Sequence, residues 1–435
     1  MITRGFQGAR RPGHERLPSG QYPEAGFPVM SIGPAPPVKP DTWTFAITTE
    51  AGERHAWDFG EITRLPAEDI ITDVHCVTKW SKLDTRWRGV SLDTLLKEVA
   101  TDATHVLAEG ADGYTTNLPL ADLRGGRAWL VFEFDGRPLE PDHGGPARLL
   151  VPHLYLWKSA KWITGLRLLT RDEDGFWEEN GYHAYGDPWR EQRYAGDLGA
   201  WRAATVTAVK AETPTATTIV LDVPGLPEHL PGQTVDVKLT AADGYDAQRS
   251  YSIASPPGGP LELTVQSTRG GEVSPHLSGE ARPGDRIEVR GPIGGSFAWE
   301  PGEDDAPLLL IAGGSGIVPL MSMIRSNTRG VAARLIYSAR TPADIVYAGE
   351  LAERIDASAL AVTFCYTREA PPGERLGRID ATVIPGPGDG AFPEGPRPGI
   401  FVCGPPGFTR TVVSLLVEAG HDPAAIRVES FGPVA

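Results

Sequence analysis

Residues 307–326 have the sequence PLLLIAGGSGIVPLMSMIRS, and this stretch decides the fold of the C-terminal part of the chain. An apolar strand, Leu308–Ala312, leads into the glycine turn Gly313–Gly316 and then into a helix-forming run. Amide groups in such a turn, with the start of the next helix, can hold a pyrophosphate. Strands, turns and helices keep alternating to the end of the chain. This alternation predicts a Rossmann-like α/β domain with a parallel sheet over residues 303–435.

The preceding residues predict further domains, so the chain is a multidomain α+β and α/β protein. Residues 1–40 are rich in Pro, Gly and Arg and predict an extended leader. Residues 41–195 predict a mixed α+β domain with one clear helix, Ser91 to Val99, capped by Ser91. Regularly spaced alternating strands in residues 200–302 predict an antiparallel β-barrel. The charged, aromatic segment 171–200 predicts a linker packed on a domain surface.

Composition excludes several classes of protein. The 435 residues include 41 basic and 56 acidic side chains, a net charge of −15, and no local basic patch, so we expect no nucleic-acid or membrane binding. Three cysteines are too few for a disulfide framework or for the four thiolates of an iron–sulfur cluster. Arg10-Arg11 has the form of a twin-arginine signal, but no apolar segment follows it. We therefore expect a cytoplasmic protein, whose oligomeric state stays open.

Five motifs follow one another between residues 202 and 435. They are RSYS at 249–252, GEVS at 271–274, GGSG at 313–316, CGPP at 403–406 and ESFG at 429–432. This ordered set resembles the ferredoxin–NADP reductase family. The resemblance implies that the barrel binds FAD, with FMN as an alternative, and that the α/β domain binds NAD(P)H.

The resemblance also implies roles for single residues. Arg249 would pair with a flavin phosphate, Tyr251 would lie against the isoalloxazine, and Ser252 would hydrogen-bond the flavin ring. Gly271 and Ser274 would donate to the diphosphate. The other cofactor-binding residues that it implies are Gly313, Gly314, Gly316, Cys403, Gly404 and Phe431, with Cys403 near the nicotinamide.

The choice of nicotinamide depends on the end of the next strand, Ser338-Ala339-Arg340. A hydroxyl and an arginine with no carboxylate favour the 2′-phosphate of NADPH. A solvent-facing Arg340 is equally compatible with the sequence, so NADH stays an alternative.

Cys76 ends an apolar stretch and precedes Lys79, Lys82, Arg86 and Arg88. Cations lower the pKa of a thiol and favour the thiolate that binds metals. These facts alone favour a buried structural cysteine over a metal ligand.

The segment at residues 143–162, HGGPARLLVPHLYLWKSAKW, changes that interpretation, because it resembles the sulfite-oxidase superfamily of molybdopterin proteins. The resemblance implies that Cys76 binds molybdenum and that residues of this segment bind the pterin and its phosphate, namely His143, Lys158, Ser159 and Lys161. It also places His75, Lys79 and Arg86 near the metal as candidate catalytic residues, although structural roles stay open.

Together the two resemblances predict an NAD(P)H-dependent molybdoenzyme. Electrons would pass from NAD(P)H to flavin to molybdenum, with no iron–sulfur cluster between them, and a small S-oxide, N-oxide or oxyanion would be reduced. One alternative is sulfite-type oxidation with NAD(P)+ as acceptor. Another is a flavin electron-transfer component that serves a separate partner protein.

Overall fold

The computed structural model describes residues 1–8, 14–30, 35–302, 306–357, 360–387, 389–390, 392 and 397–431. Arg10, Arg11 and Gly432, which the sequence analysis singled out, lie outside these residues. The chain divides into two compact units. The N-terminal unit comprises Arg10–Ser31 and Ala35–Gly199, and the C-terminal unit comprises Met1–Ala9, Ile32–Pro34 and Ala200–Ala435.

The N-terminal unit is a mixed α+β domain, as predicted. Its strands are β1 Tyr22–Pro23, β2 Thr44–Thr48, β3 Arg54–Asp58, β4 Ala67–His75, β5 Trp80–Ser91, β6 His105–Gly110, β7 Thr115–Pro119, β8 Trp129–Phe134, β9 Arg137–Pro138, β10 Arg148–Leu150 and β11 Ile163–Leu169. Its helices are α1 Phe59–Arg64, α2 Leu92–Leu96 and α3 Phe176–Glu179. One sheet has the order β1-β5-β8-β10, with β4 also on β5 and β9 on β8, and the other has the order β3-β2-β11-β6-β7.

Local capping explains where the helices of this unit begin. The Ser91 hydroxyl accepts a hydrogen bond from the Asp93 amide, so α2 begins where the sequence predicted, although it ends at Leu96 rather than Val99. Helix α1 begins with a capping box between Asp58 and Glu61, a signal that the sequence analysis did not use.

The segment predicted as a linker is part of the N-terminal unit. Its residue Glu178 is buried and accepts hydrogen bonds from the Lys158 ammonium at 2.6 Å and the Trp157 indole at 2.9 Å. The Arg193 side chain is also fully buried and lies over the Tyr155 ring. Buried ion pairs and stacked rings, rather than apolar alternation, hold this segment in place.

The C-terminal unit contains two sheets. The antiparallel sheet comprises β12 Arg202–Thr213, β13 Ala216–Asp222, β14 Thr234–Thr240, β15 Asp246–Ser252, β16 Leu261–Gln266 and β17 Arg286–Ile293, with helix α4 Val273–Gly279 after β16. Its order is β15-β14-β17-β12-β13-β16, and the two edge strands meet at a bridge between Ile253 and Leu263. This is the sheet predicted as a barrel, and it encloses an apolar core.

The second sheet of the C-terminal unit confirms the predicted α/β domain. Its elements are β18 Leu308–Gly313, α5 Ile317–Ser326, β19 Ala333–Ala339, α6 Ala348–Asp356, β20 Ala361–Tyr366, β21 Gly399–Gly404, α7 Pro406–Glu418 and β22 Ile426–Ser430. All strands are parallel, in the order β20-β19-β18-β21-β22. Helices α5 and α7 follow the carboxyl ends of β18 and β21, which brings the glycine turn and Cys403 to one edge.

The predicted leader divides between the two units. Residues 1–8 belong to the C-terminal unit, whereas residues 14–30 belong to the N-terminal unit, where β1 pairs with Trp80 and Ser81. No helix in the described part of the chain has the length and apolarity needed to cross a bilayer.

Replacement of Glu178 by Gln tests the structural role of the buried ion pair. The amide can still accept a hydrogen bond, but the Lys158 ammonium loses the carboxylate that contacts it. We expect a loss of about 3 kcal/mol in free energy of unfolding, measured by urea denaturation with tryptophan fluorescence. Glu179→Gln, which alters the exposed neighbour, should change it by less than about 0.5 kcal/mol. Equal effects of the two variants would contradict the assignment.

Candidate functional site

Cys76 lies in a tight turn that joins β4 to β5. Its amide donates to the Trp80 carbonyl at 2.9 Å, and its carbonyl accepts from the Lys79 amide at 3.0 Å. The Gln21 side chain donates to the same carbonyl at 3.0 Å. Lys79 takes a left-handed conformation, with φ of 78°, which closes the turn. These bonds fix the backbone from which the thiol projects.

His75 supports this turn from behind. The Ser81 hydroxyl donates to the Gln21 side-chain oxygen at 3.3 Å, so it accepts from His75 Nδ1 at 2.8 Å, which places the hydrogen on Nδ1. Burial lowers the pKa of His75 to about 4. His75 was predicted as a catalytic residue; its Nδ1 is directed to Ser81, and a catalytic role for it stays a prediction.

The Cys76 thiol is buried, with its sulfur 3.1 Å from the Thr78 hydroxyl. Burial raises its pKa, outweighing the lowering by the Thr78 hydrogen bonds and the charges of Lys161 and Lys79. The sequence expectation of a lowered thiol pKa is therefore wrong for the protein alone, because counting cations ignores desolvation. A metal that binds the sulfur displaces this proton.

Two further basic side chains lie in this region: Lys161 is partly buried and its charge acts on the thiol, and the buried Arg148 acts on Lys161. Lys161 donates to the Asp142 carbonyl at 2.8 Å, and Arg148 donates to the carbonyls of His143 at 3.1 Å and Ser159 at 2.8 Å. Neither forms an ion pair with a carboxylate of the described residues. Burial lowers the pKa of Lys161 to about 7 and that of Arg148 to about 10. Buried cations of this kind favour a bound anion such as a phosphate.

Aromatic rings form one wall of the site. The His143 ring stacks on Phe27 at 4.3 Å, and Phe27 in turn contacts the edges of Trp87 and Trp80. Burial, followed by the charges of Lys161 and Arg148, lowers the pKa of His143 to about 4, so this ring is neutral. The buried Trp80 indole nitrogen has no hydrogen-bond partner within the described ranges, and it can donate to a bound group.

These residues fit a molybdenum-bearing pterin. The described residues include no group of three or more His, Cys, Asp or Glu that could hold a metal ion, so a metal at Cys76 needs ligands from outside the protein. A pterin dithiolene supplies soft sulfur ligands, and the pterin phosphate carries the negative charge that Lys161 and Arg148 would attract.

Lys158 does not face this site. Its ammonium donates to the carbonyls of Asn117 and Ala184 at 2.8 and 2.6 Å and contacts Glu178 at 2.6 Å. These acceptors enclose the ammonium, so its predicted contact with the pterin phosphate is not compatible with this geometry. Ser159, which was predicted beside it, is buried, and its oxygen accepts from the Val151 amide at 2.9 Å, which leaves its hydroxyl hydrogen for a ligand.

Arg86 and Lys79 differ in their placement. Arg86 is exposed and follows Thr85 in β5, so it points to the face opposite Trp87 and away from the aromatic wall. Its predicted catalytic role therefore has no structural support. The Lys79 side chain is fully buried, and its charge acts on the Cys76 thiol.

The predicted flavin residues gather at the end of β15. The Ser252 hydroxyl donates to the Glu429 carboxylate at 2.9 Å, and Tyr251 is half-buried beside it. Burial raises the pKa of Glu429 to about 7. Arg249 lies 3.8 Å from the Glu272 carboxylate, which brings it to the loop of Gly271 and Ser274. The Ser274 oxygen accepts from the Thr268 amide at 3.1 Å.

The glycines at the carboxyl edge of the parallel sheet allow a very close approach. A Cβ atom at Gly316 would lie 2.0 Å from the Cys403 carbonyl oxygen, and one at Gly313 or Gly404 would lie under 3.0 Å from the Phe408 ring. The glycine turn therefore contacts the end of β21 directly. Gly314, with φ of 56°, completes this turn.

Cys403 and Phe431 lie at this same edge. The Cys403 thiol is buried, and the Phe431 amide donates to the Gly404 carbonyl at 3.2 Å. Burial and then the charge of Glu429 raise the pKa of the Cys403 thiol. The structure thus brings the predicted nicotinamide residues and the terminal aromatic ring together.

Arg340 has a partner that the sequence analysis did not count. Its guanidinium contacts the Asp344 carboxylate at 2.6 Å, and the Thr341 hydroxyl donates to the same carboxylate at 2.8 Å. Ser338 precedes it at the end of β19. A carboxylate thus lies beside the predicted 2′-phosphate position, four residues beyond Arg340.

Comparison with known proteins finds three domain families in succession along the chain. The molybdopterin-binding domain of oxidoreductases matches residues 32–177, the FAD-binding domain matches residues 204–299, and the NAD-binding domain matches residues 310–414. The uncharacterized oxidoreductase YuiH of Bacillus subtilis is 38% identical over 185 residues, which cover 42% of this chain and 93% of that protein. The chain belongs to the molybdopterin-binding oxidoreductase family.

This molybdopterin-binding oxidoreductase also resembles reductases in its C-terminal half. The reductase subunit of glycine betaine monooxygenase from Pseudomonas aeruginosa is 34% identical over 214 residues, 47% of this chain, and the chain spans about half (56%) of that protein. The solved cytochrome P450 reductase GcoB from Amycolatopsis matches with a TM-score of 0.50 at 19% identity, over 89% of this chain and 99% of that one, a likeness of fold alone. The molybdopterin-binding oxidoreductase therefore also carries FAD- and NAD-binding domains.

Three residues of this oxidoreductase were missed by the sequence analysis. Arg148 lies within the quoted segment at 143–162, where a charge between apolar residues of a buried strand was an available signal. Glu429 stands in the terminal motif, but its contact with Ser252 depends on two strands from different sheets. No sequence signal marks Trp80, because only the fold shows that its buried indole nitrogen lacks a hydrogen-bond partner among the described residues.

We expect the protonation state of Glu429 to influence reduction of the flavin, because Glu429 contacts Ser252, the predicted partner of the flavin ring. Its pKa of about 7 means that its protonated form is lost as pH rises through 7. We expect NADPH–dye activity of the native chain to fall over this interval, and Glu429→Gln to lower it about tenfold or more and remove the dependence. Glu418→Gln, an exposed change in α7, should leave the profile unaltered. A profile of Glu429→Gln that still falls near pH 7 would argue against this role.

Arg340 tests the preference for NADPH. If its guanidinium binds the 2′-phosphate despite Asp344, Arg340→Ala should raise the KM for NADPH about tenfold and leave that for NADH within about twofold. Arg354→Ala removes an arginine from an ion pair with Glu350 in α6 and should change neither value. Equal KM changes for both nucleotides would show that Arg340 does not discriminate between them.

Proposed function

We propose that this oxidoreductase is a self-contained NAD(P)H-dependent molybdoenzyme that reduces a small S-oxide, N-oxide or oxyanion. The balanced reaction is NAD(P)H + H⁺ + XO → NAD(P)⁺ + X + H₂O, where X is the sulfur, nitrogen or anion centre that loses its oxygen. The observation that carries the proposal is the buried Cys76 thiol beside Lys161, which forms no ion pair with a carboxylate of the described residues, in a chain that also has FAD- and NAD-binding domains.

When bound, the flavin can take two electrons from the nicotinamide and release them singly, and molybdenum can collect them and exchange an oxygen atom. Residues of the C-terminal unit would bind and orient the nicotinamide and the flavin. Gly316 allows the glycine turn to contact the end of β21, where the nicotinamide would be bound beside Cys403. Ser252, which would hydrogen-bond the flavin ring, donates to Glu429, whose pKa of about 7 lets that carboxyl group hold or release a proton beside this contact. Arg249 offers a charge to the flavin phosphate.

Residues of the N-terminal unit would bind the metal and the pterin. Cys76 would hold the metal from a backbone fixed by Gln21 and Trp80. Lys161 and Arg148 would bind the phosphate of the pterin, and Trp80 would donate its indole hydrogen to the same group. The neutral His143 and Phe27 would exclude water from one side. A dry site of this kind strengthens the attraction between these cations and an anionic ligand.

Cys76→Ser separates the two parts of the reaction. We expect NADPH oxidation driven by methionine sulfoxide, dimethyl sulfoxide, trimethylamine N-oxide or nitrate to fall about a hundredfold or more, because the metal loses its sulfur ligand. NADPH–dye activity should be retained, since it needs only the C-terminal unit. The measurements are NADPH absorbance with each acceptor and the molybdenum content.

Cys365→Ser is the matched control. It removes a buried thiol from β20 in the other unit, so both activities should persist. Full acceptor-dependent turnover in Cys76→Ser would contradict the proposal. Failure of all four acceptors with the loaded native chain, together with anaerobic reduction of its flavin by sulfite, would instead show the opposite direction of reaction.

A further inference from the structure

Residues 3–8, here called the N-terminal strap, belong to the C-terminal unit although the rest of the N-terminal region does not. The FAD-binding family match begins only at residue 204, so the strap is an addition to that domain. The N-terminal unit is thus inserted between the strap and the domain on which the strap lies.

Hydrogen bonds and an ion pair attach Thr3 and Arg4 of the strap to the C-terminal unit. The Thr3 amide donates to the Thr240 carbonyl at 2.8 Å, and the Thr240 amide donates to the Thr3 hydroxyl at 3.1 Å, at the end of β14. Arg4 forms two bonds to the Asp285 carboxylate, at 2.5 and 2.6 Å, and a third to the Glu280 carbonyl at 2.9 Å. These bonds fix the register of the strap on the antiparallel sheet.

Phe6 anchors the strap in the apolar core of this sheet, where it is only 6% exposed. Its ring stacks over Tyr245 with centroids 6.5 Å apart and meets the His276 ring edge-on at 5.6 Å. Gly8 passes so close that a Cβ atom there would lie 2.3 Å from the Tyr245 ring. Tyr245 is therefore held between Phe6 and Gly8.

Tyr245 carries the effect of the strap to the candidate flavin site. Its hydroxyl donates to Glu272 at 2.8 Å, and the buried Glu272 carboxylate lies 3.8 Å from Arg249. Glu272 stands between Gly271 and Ser274, the predicted diphosphate contacts, and His276 follows in α4. The Phe6 ring thus contacts Tyr245, which bonds to Glu272 in the candidate phosphate-binding loop, and His276, which follows that loop in α4.

We infer that the N-terminal strap is a positioning element for the flavin: it fixes Tyr245 and His276, and through them holds Glu272, Arg249 and loop 271–274 in the geometry that binds the diphosphate. The inference rests on the proposed flavin role of this loop. A strap that only added stability would not change flavin affinity at a temperature where the chain is folded.

The test uses the full chain and measures the Kd for FAD by flavin fluorescence at a temperature where circular dichroism shows every variant to be folded. Phe6→Ala should raise the Kd about tenfold, because the binding-competent loop becomes a minor state, and Phe6→Leu should restore most of the affinity. Tyr245→Phe keeps the ring contacts but loses the bond to Glu272, so it should raise the Kd about threefold to tenfold.

Ile2→Ala is the control, because it removes an exposed apolar side chain just outside the strap and should leave the Kd unchanged. Ser274→Ala separates the two levels of the argument. If it raises the Kd while both Phe6→Ala and Tyr245→Phe stay within twofold of the native chain, the strap inference is overturned and the loop assignment stands. If Ser274→Ala also has no effect, the assignment of the loop itself fails.

Discussion

Buried positive charge without a carboxylate partner is the constraint on which the N-terminal unit depends. Desolvating a guanidinium and an ammonium costs several kcal/mol per ion, and carbonyl dipoles return only part of that cost. Among the described residues, Arg148 and Lys161 nevertheless donate to backbone carbonyls and lie over the rings of Trp87 and Trp162, and neither forms an ion pair with a carboxylate. A bound anion would recover part of this cost, so we expect ligand binding to stabilise this unit. The domain should therefore gain much of its stability from its cofactor.

In the C-terminal unit the desolvated group is acidic rather than basic. There a carboxylate, Glu429, is desolvated beside a hydroxyl rather than a cation, and it keeps a proton near neutral pH. In the proposed function, one unit holds an anion and the other holds a proton next to a redox group. Both depend on low local polarity, which amplifies charge effects in each site. The division follows the chemistry that each bound group supplies.

The sequence predicted the architecture well where the signal is local. The strand, glycine turn and helix at residues 307–326 and the Ser91 cap are set by neighbours within a few positions. The two lysines of the 158–161 segment show the limit. Both suit a phosphate equally by residue type, and a short 3-10 turn ending at Lys158 directs one to Glu178 and leaves the other beside Cys76.

Desolvation and long-range contacts explain the other differences. Cations near Cys76 in the sequence suggested a reactive thiol, yet burial outweighs them, and burial cannot be counted from a list of neighbours. The aromatic segment after residue 171 lacks alternation, because buried ion pairs and ring stacking hold it. Nothing within the first eight residues indicates their attachment to a sheet that begins two hundred residues later.

That attachment has a consequence for the order in which the protein folds. Thr3 must meet Thr240, 237 positions along the chain, and loop closure of this length is slow and entropically costly. During synthesis the first segment waits roughly ten to fifty seconds for its partner strand at ordinary rates of translation. The N-terminal unit emerges within that interval. A compact unit spans a shorter distance than an unfolded chain of the same length, so folding of this unit, aided by its cofactor, would shorten the gap that Thr3 and Thr240 must close.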